Sequence, residues 1–419
     1  MNNYFCYNYH MKKVGYHPKK SVESRAFITI LIAFLAFLGF LFLVATRPIL
    51  PLKPELIATP TVETTTLDWA WPSQGRAAIG TLEGGLKVAY GDETPQPIAS
   101  LAKLITALVV LEKYPIGPNE TGPTITMTAN DVMLYRQTVV DGGTYLPVNI
   151  GQQLTERQML DGIMLASANN LADSLAIWAF GSMEDYLTVA TTWLAKNNLL
   201  ATEVGKDASG LDPGSISTTR DLFELGRLAM KNPVLREVVA QSTAGFPGLG
   251  QISNTDRLRG GDGFVGIKTG YTEEAGGCYI FAVEREVGDE SVILIGVVTG
   301  QSDAAARFVA AQNLARSAME NLASEAVVTK GQVVGRYDTP WHDSVAIIAS
   351  DTLQTVRWRD EPLRADAKLN DLRAPAEKNQ VVGHIDVARQ SINLALVDEV
   401  DKPNIWWRIR HMNRLQWLF

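Results

Sequence analysis

The sequence predicts an α/β protein of the α+β kind, an antiparallel sheet flanked by helices with a helical subdomain, followed by a small C-terminal β domain and preceded by an N-terminal transmembrane helix. Three observations predict it. Two short β-prone runs joined by Glu83-Gly84-Gly85 stand ahead of a long stretch with helical periodicity, three strands joined by glycine-rich turns follow it, and one uncharged apolar segment precedes everything. At 419 residues the chain is long enough for one large core and a smaller module.

The apolar segment, residues 26–46, reads AFITILIAFLAFLGFLFLVAT and carries no charge, which at helical rise spans a bilayer core. Lys12, Lys13, Lys19, Lys20 and Arg25 precede it against Glu23 alone, so residues 1–25 are read as a basic cytoplasmic tail. Arg47-Pro48 follows with no small-x-small cleavage pattern, which makes 26–46 an uncleaved signal anchor and puts everything after it outside. Residues 47–66, with four prolines and little periodicity, are read as a linker.

The main domain is expected over 67–325. Residues 77–82 and 86–90 form its first hairpin, and Pro95 and Pro97 stop regular structure after it. A nearly all-apolar helix over 100–113 is buried on every side. From 155 to 230 the pattern is helical, with Thr155 and Gln158 as a capping box and Ser217 or Thr218 available to cap a later helix. Residues 263–269, 278–283 and 292–298 form an antiparallel meander, and Ser302 is expected to cap a final helix reaching about Leu322. A small β domain over 326–400 contains Gln332-Val333-Val334-Gly335 and its echo Gln380-Val381-Val382-Gly383. In the closing segment, 401–419, Ile405, Ile409, Met412, Leu415 and Phe419 share one helical face with Arg410 and Arg414 opposite, which suits either an interfacial membrane helix or one docked on its own domain.

Acidic residues outnumber basic ones by 45 to 38 and no basic stripe with interleaved aromatics appears, so nucleic acid is not a partner. Cys6 and Cys278 fall on opposite sides of the anchor and allow no disulfide framework. No metal ligand set or cofactor motif is read from the chain.

The chemistry rests on three short strings: Ser100-Leu101-Ala102-Lys103, Ser167-Ala168-Asn169 and Lys268-Thr269-Gly270. The five histidines, at 10, 17, 342, 384 and 411, all lie outside 67–325, so a Ser-His-Asp triad there is excluded. Ser100 needs another base, and Lys103 is the amine one turn away. Its aliphatic neighbours make a charged amine costly and lower its pKa toward the neutral form. Ser-x-Asn carries little weight alone, because Ser391-Ile392-Asn393 matches it too. Lys268 projects from a strand in which Val265 and Ile267 take the other face, and beside Thr269 and Gly270 it can hold a carboxylate.

These residues closely resemble the low-molecular-mass penicillin-binding D-alanyl-D-alanine carboxypeptidases, within the superfamily of DD-peptidases and serine β-lactamases. The likeness extends to Pro97-Ile98-Ala99-Ser100, Ala208-Ser209-Gly210-Leu211-Asp212 and Asn254-Thr255, and is densest from Gly263 to Gly276. It implies catalytic roles for Ser100 as acylated nucleophile, Lys103 as base, Ser167 as proton relay and Asn169 as orienting group. It implies substrate binding by Lys268, Thr269, Gly270 and Tyr271, with the backbone N–H groups of Ser100 and Tyr271 as oxyanion hole. The implied substrate is a peptidoglycan stem peptide ending in D-Ala-D-Ala, with β-lactams as inhibitors. An arginine soon after the third strand would help bind the carboxylate, and this chain offers Gln301 and Ser302 before Arg307. Two alternatives are a class A-like β-lactamase, for which Glu203 would be the candidate carboxylate, and a non-catalytic penicillin-sensing or wall-binding protein.

Overall fold

A computed structural model describes residues 1, 20–57, 61–387 and 390–416. Lys12, Lys13, Lys19, Cys6 and Phe419 lie outside these. Helix α1 (Lys20–Thr46) contains a segment, Ser24–Thr46, long and apolar enough to cross a membrane, and most of its large apolar side chains, Val44 excepted, are exposed.

The larger compact unit comprises Glu63–Glu325 with Thr355–Pro362. Its sheet is built from β1 (Arg76–Thr81), β2 (Gly85–Tyr90), β3 (Phe264–Thr272), β4 (Gly276–Val287) and β5 (Glu290–Gln301), in the order β3-β4-β5-β1-β2 and antiparallel throughout. Strand periodicity sorts the side chains between two cores. Ile295 and Val297 of β5 join Leu222 and Phe223 of α7 (Thr219–Lys231), while Leu294 and Val298 join Phe308 and Leu314 of α9 (Ala306–Glu320).

Between the hairpin and the meander stand α2 (Lys103–Lys113), α3 (Ala129–Val140), α4 (Glu156–Met164), α5 (Asn169–Phe180), α6 (Met183–Lys196), α7 and α8 (Pro233–Val239). Helix α4 starts at the expected capping box, in which Thr155 Oγ1 accepts from Gln158 N and the Gln158 side chain accepts from Thr155 N. Thr218 caps α7 by accepting from Asp221 N. The last helix is capped differently from expectation. Asp303 Oδ1, not Ser302, accepts from Ala305 N at 2.7 Å and Ala306 N at 2.8 Å, because a carboxylate accepts two bonds where the dipole favours negative charge.

The smaller unit groups Met1–Val62, Ala326–Gln354 and Leu363–Phe419. Its six-stranded antiparallel sheet runs Pro54–Leu56, Val333–Tyr337, Val345–Ala349, Gln390–Leu396, Val381–Val387, Asp366–Leu369. The echoed motif occupies equivalent places in it, with a register shift between Val333 and Gly335 in one copy and between Val381 and Gly383 in the other. Residues 47–57, read as linker, belong to this sheet and its neighbours. Pro54–Leu56 forms an edge strand, where a proline costs no ladder bond.

Among the described residues a single helical face from Ile405 onward is not observed. Helix α10 (Ile405–Arg410) stops at His411, whose φ of −123° and ψ of 44° are not helical, and a 3-10 turn follows over Met412–Arg414. Leu415 instead bridges Ile49, burying both against Val44. Arg408, which would have interrupted the apolar face, is buried because its guanidinium finds backbone acceptors: Val44 O at 3.2 Å, Arg47 O at 2.8 Å and Pro403 O at 3.2 Å.

Candidate active site

Ser100 lies in a 3-10 turn (Ala99–Ala102) that runs into α2, so the α-helix begins at Lys103 and not at the serine. In a 3-10 turn residues i and i+3 eclipse, which aligns Ser100 and Lys103 more directly than an α-helix would. The turn is entered through Ala99 at φ 49°, a left-handed conformation that non-glycine residues adopt at a cost. Two glycines permit the crowding around it. A methyl group on Gly210 (φ 76°) would lie 2.0 Å from Ala99 O, and one on Gly270 would lie 3.1 Å from Ser100 N and 3.2 Å from Ala99 Cβ.

Lys103 is fully buried, and its Nζ has three partners: Ser100 Oγ at 2.9 Å, Asn169 Oδ1 at 2.6 Å and Ser209 O at 2.8 Å. Two of these, the amide oxygen and the backbone carbonyl, can only accept, and they take two N–H bonds. The third position, toward the Ser100 hydroxyl, suits a lone pair equally well, so a neutral amine fits without leaving any group unsatisfied. Burial pushes the amine from 10.5 down to about 7 against the opposing pull of Asp207 and Asp173.

Ser167 has φ 61° just before α5, and Asn169 is the first residue of that helix. Lys268 of β3, fully enclosed, donates to Ser167 Oγ at 2.9 Å and to Thr269 O at 3.0 Å. Its burial, with the charges of Lys103 and Arg307 adding, holds it well below the ordinary lysine value. Thr269 Oγ1 lies 3.0 Å from Thr255 Oγ1, and Tyr271 is exposed next along the strand. Hydrogen bonds thus link Ser100, Lys103 and Asn169 in one group and Ser167 and Lys268 in another, Gly270 joins the two through its approach to Ser100 N, and Thr269 and Tyr271 follow on the same strand. The carboxylate candidate of the β-lactamase alternative, Glu203, is exposed, with its backbone bridged to Ile216.

Sequence reading gave no role to Ser209, Asp173 or Asp207, and met Arg307 only after Gln301 and Ser302. Ser209 acts through its carbonyl, which no side-chain pattern reports. Arg307, in the first turn of α9, donates from Nη1 to Gly270 O at 2.7 Å, with Nε buried and without a partner. Asp173 and Asp207 lie behind the lysine, Asp173 accepting from Ala208 N at 2.8 Å. Asp173 is one turn beyond Asn169 on α5, a helical offset that would have pointed to it.

Residues 86–302 match the family pattern described as D-alanyl-D-alanine carboxypeptidase. The chain is 32% identical over 221 residues to the D-alanyl-D-alanine carboxypeptidase DacB2 of Mycobacterium tuberculosis, covering 49% of this chain and 69% of that one. It is 25% identical over 328 residues to the D-alanyl-D-alanine carboxypeptidase DacA of Escherichia coli K12, covering 74% and 79%. In fold it is similar to the peptidoglycan synthesis regulatory factor PBP3 of Streptococcus pneumoniae (TM-score 0.58, 18% identity, 80% of this chain and 100% of that one). Penicillin binding protein 5 of Haemophilus influenzae is similar too (TM-score 0.55, 19% identity, 81% and 99%). With the family pattern spanning half of the sequence, the chain belongs to the D-alanyl-D-alanine carboxypeptidase family, a family of serine peptidases.

Proposed function

We propose that this enzyme trims the terminal D-alanine from peptidoglycan stem peptides through an acyl-enzyme on Ser100, with Lys103 as its base. The observation that carries the reading is the Lys103 amine, 2.9 Å from Ser100 Oγ with its other two partners both pure acceptors. Ser100 Oγ attacks the carbonyl carbon of the penultimate residue while its proton passes to Lys103 Nζ, and the N–H groups of Ser100 and Tyr271 receive the developing oxyanion. As the C–N bond breaks, Ser167 passes its proton to the departing D-alanine amine and takes in its place the proton that Lys103 received, which leaves Lys103 neutral again. Water then attacks the ester carbonyl while giving a proton to Lys103, and as the ester C–O bond breaks Lys103 returns that proton to Ser100 Oγ. Lys268 and Thr269 hold the terminal carboxylate, whose charge favours the ammonium form of a lysine otherwise held low by burial. Arg307 steadies Gly270 from beneath and adds positive potential.

β-Lactams acylate the same serine and inhibit the enzyme. Helix α1 anchors the chain in a membrane with the basic tail in the cytoplasm and the catalytic domain, residues 67–325, outside. The 326–400 domain and the 401–419 segment complete the extracytoplasmic part.

Treating the full chain with penicillin and mapping the adduct by mass spectrometry tests the nucleophile, and D-alanine release from a pentapeptide tests the reaction. An adduct on another residue, or acylation with no release of D-alanine, would overturn the assignment.

A further inference from the structure

Behind Lys103 stands a polar assembly whose two carboxylates, Asp173 and Asp207, are half-buried. Asp207 Oδ1 accepts from Ser209 N, Ser209 Oγ, Gly210 N and Leu211 N, and Oδ2 accepts from Asp212 N at 2.6 Å. This winds the 207–212 loop around one carboxylate and turns Ser209 O toward Lys103 Nζ. Neighbouring helices hold the loop as well. Thr106 of α2 donates to Ala208 O at 2.6 Å and meets Tyr186 OH of α6 at 2.8 Å, while Asp173 of α5 accepts from Ala208 N. Asp207 and Asp173 thus hold the loop that carries the Ser209 carbonyl, and both act on the Lys103 amine through their charge.

We propose that Asp173 and Asp207 are positioning residues that make the acid limb of Lys103 shallower: Asp207 by fixing the carbonyl that orients the amine, and Asp173 as a second acid whose own ionisation changes its pull on the amine. The inference rests on the reading of Lys103 as base. The titratable groups around the amine are Asp173 from α5, Asp207 from the loop, Tyr186 from α6 and Lys268 from β3, with Arg307 acting on Lys268. Burial opposes ionisation of Asp207, but its hydrogen bonds from Ser209, Asp212 and Leu211 win and hold it below the usual carboxylate range, so it stays charged. Burial first, and the charge of Asp207 second, push Asp173 up to about 7, into the range where Lys103 titrates.

Two attracting groups that titrate together cannot do so independently. As pH falls through neutrality Asp173 takes up a proton, its pull on Lys103 weakens, and the lysine becomes harder to protonate. Part of the neutral amine then survives to lower pH than it would beside an Asp173 that stayed charged throughout. The acid limb of acylation is therefore shallower than a single-proton curve.

The test is the rate of acylation of the full chain in detergent by a fluorescent penicillin between pH 5 and 9, for the wild type and Asp173→Asn. The asparagine keeps an acceptor for Ala208 N but carries no charge. The expected result is a broad wild-type limb that sharpens in D173N to one ionisation and moves acidward by about 0.5–1 pH unit, or about 3–10-fold faster relative acylation on the limb. A purely structural role would lower the plateau and leave the slope alone. Superimposable limbs overturn the proposal while leaving Ser100 and Lys103 in place. If D173N does not fold, the wild-type slope decides, because a limb that fits one ionisation refutes the coupling. A wild type never acylated at any pH would overturn the base assignment and this inference with it.

Discussion

Glu156 is the most informative residue to perturb for stability. It opens α4, is fully buried, and neither of its carboxyl oxygens has a hydrogen-bond partner. The loop before it closes tightly overhead, such that a methyl on Gly122 would come within 2.8 Å of Oε2. Burial pushes the carboxyl from 4.5 up to about 7. Below the unfolded value both states are protonated and the group is neutral in its effect. As pH rises from there the unfolded chain ionises first, stability falls, and the loss is complete once pH passes the folded value. That interval of about 2.5 units, at 1.36 kcal/mol each, sets an upper bound of about 3 kcal/mol, which the helix N-terminus reduces to about 2 kcal/mol by favouring the anion. Glu156→Gln removes the ionisation and keeps the shape. Its advantage over wild type should grow from near zero at pH 4.5 to a melting-temperature gain of about 4–8 °C at pH 8. Paired thermal melts of the full chain across that range read it directly. A difference that stays constant with pH would refute the reasoning, since only a carboxyl ionising differently in the two states makes it vary.

Acylation by labelled penicillin should rise with pH through about 7, because burial depresses the folded Lys103 amine to that value and only the neutral form accepts the Ser100 proton; a rate flat from pH 5 to 9 would contradict the base. Gly210→Ala would force a methyl against Ala99 O at a left-handed position, costing about 2–4 kcal/mol of stability by chemical denaturation and lowering acylation at least tenfold, whereas unchanged acylation would show the 207–212 loop to be dispensable. Lys268→Gln should weaken peptide turnover by about 10²-fold in kcat/KM with the fold retained, as expected for loss of a charged partner to the substrate carboxylate; an unchanged kcat/KM would remove Lys268 from the binding site.

What the sequence discloses follows how local each signal is. The Thr155–Gln158 capping box, the apolar run of α2 and the strand 263–269 depend on neighbours within a few positions, and all appear where periodicity and capping predict them. The pairing of Lys103 with Asn169 was out of reach of spacing alone, since those residues are brought together by folding. The resemblance of motifs supplied it. Ser209 escaped because a backbone carbonyl has no residue signature, while Arg307 was named but not placed, because its distance after β5 is counted along the chain and its bond to Gly270 is made across the fold. At the C-terminal end, periodicity alone favoured one continuous helix. Backbone acceptors offered by Val44 and Arg47 to Arg408, and a bridge from Leu415 to Ile49, outweigh that preference.

An apolar helix ends in carbonyls with nothing of their own to bind. Here two of them, or their immediate neighbours, are answered by a guanidinium arriving from 364 residues further along, and Pro48 O receives Gln416 N beside it. Residues 44–49 and 408–416 are therefore stitched into one knot at the foot of α1. Clipping the tail would bare those oxygens and unpick that knot from its far end, so harm done at the last dozen residues would be felt where the chain first leaves its apolar stem.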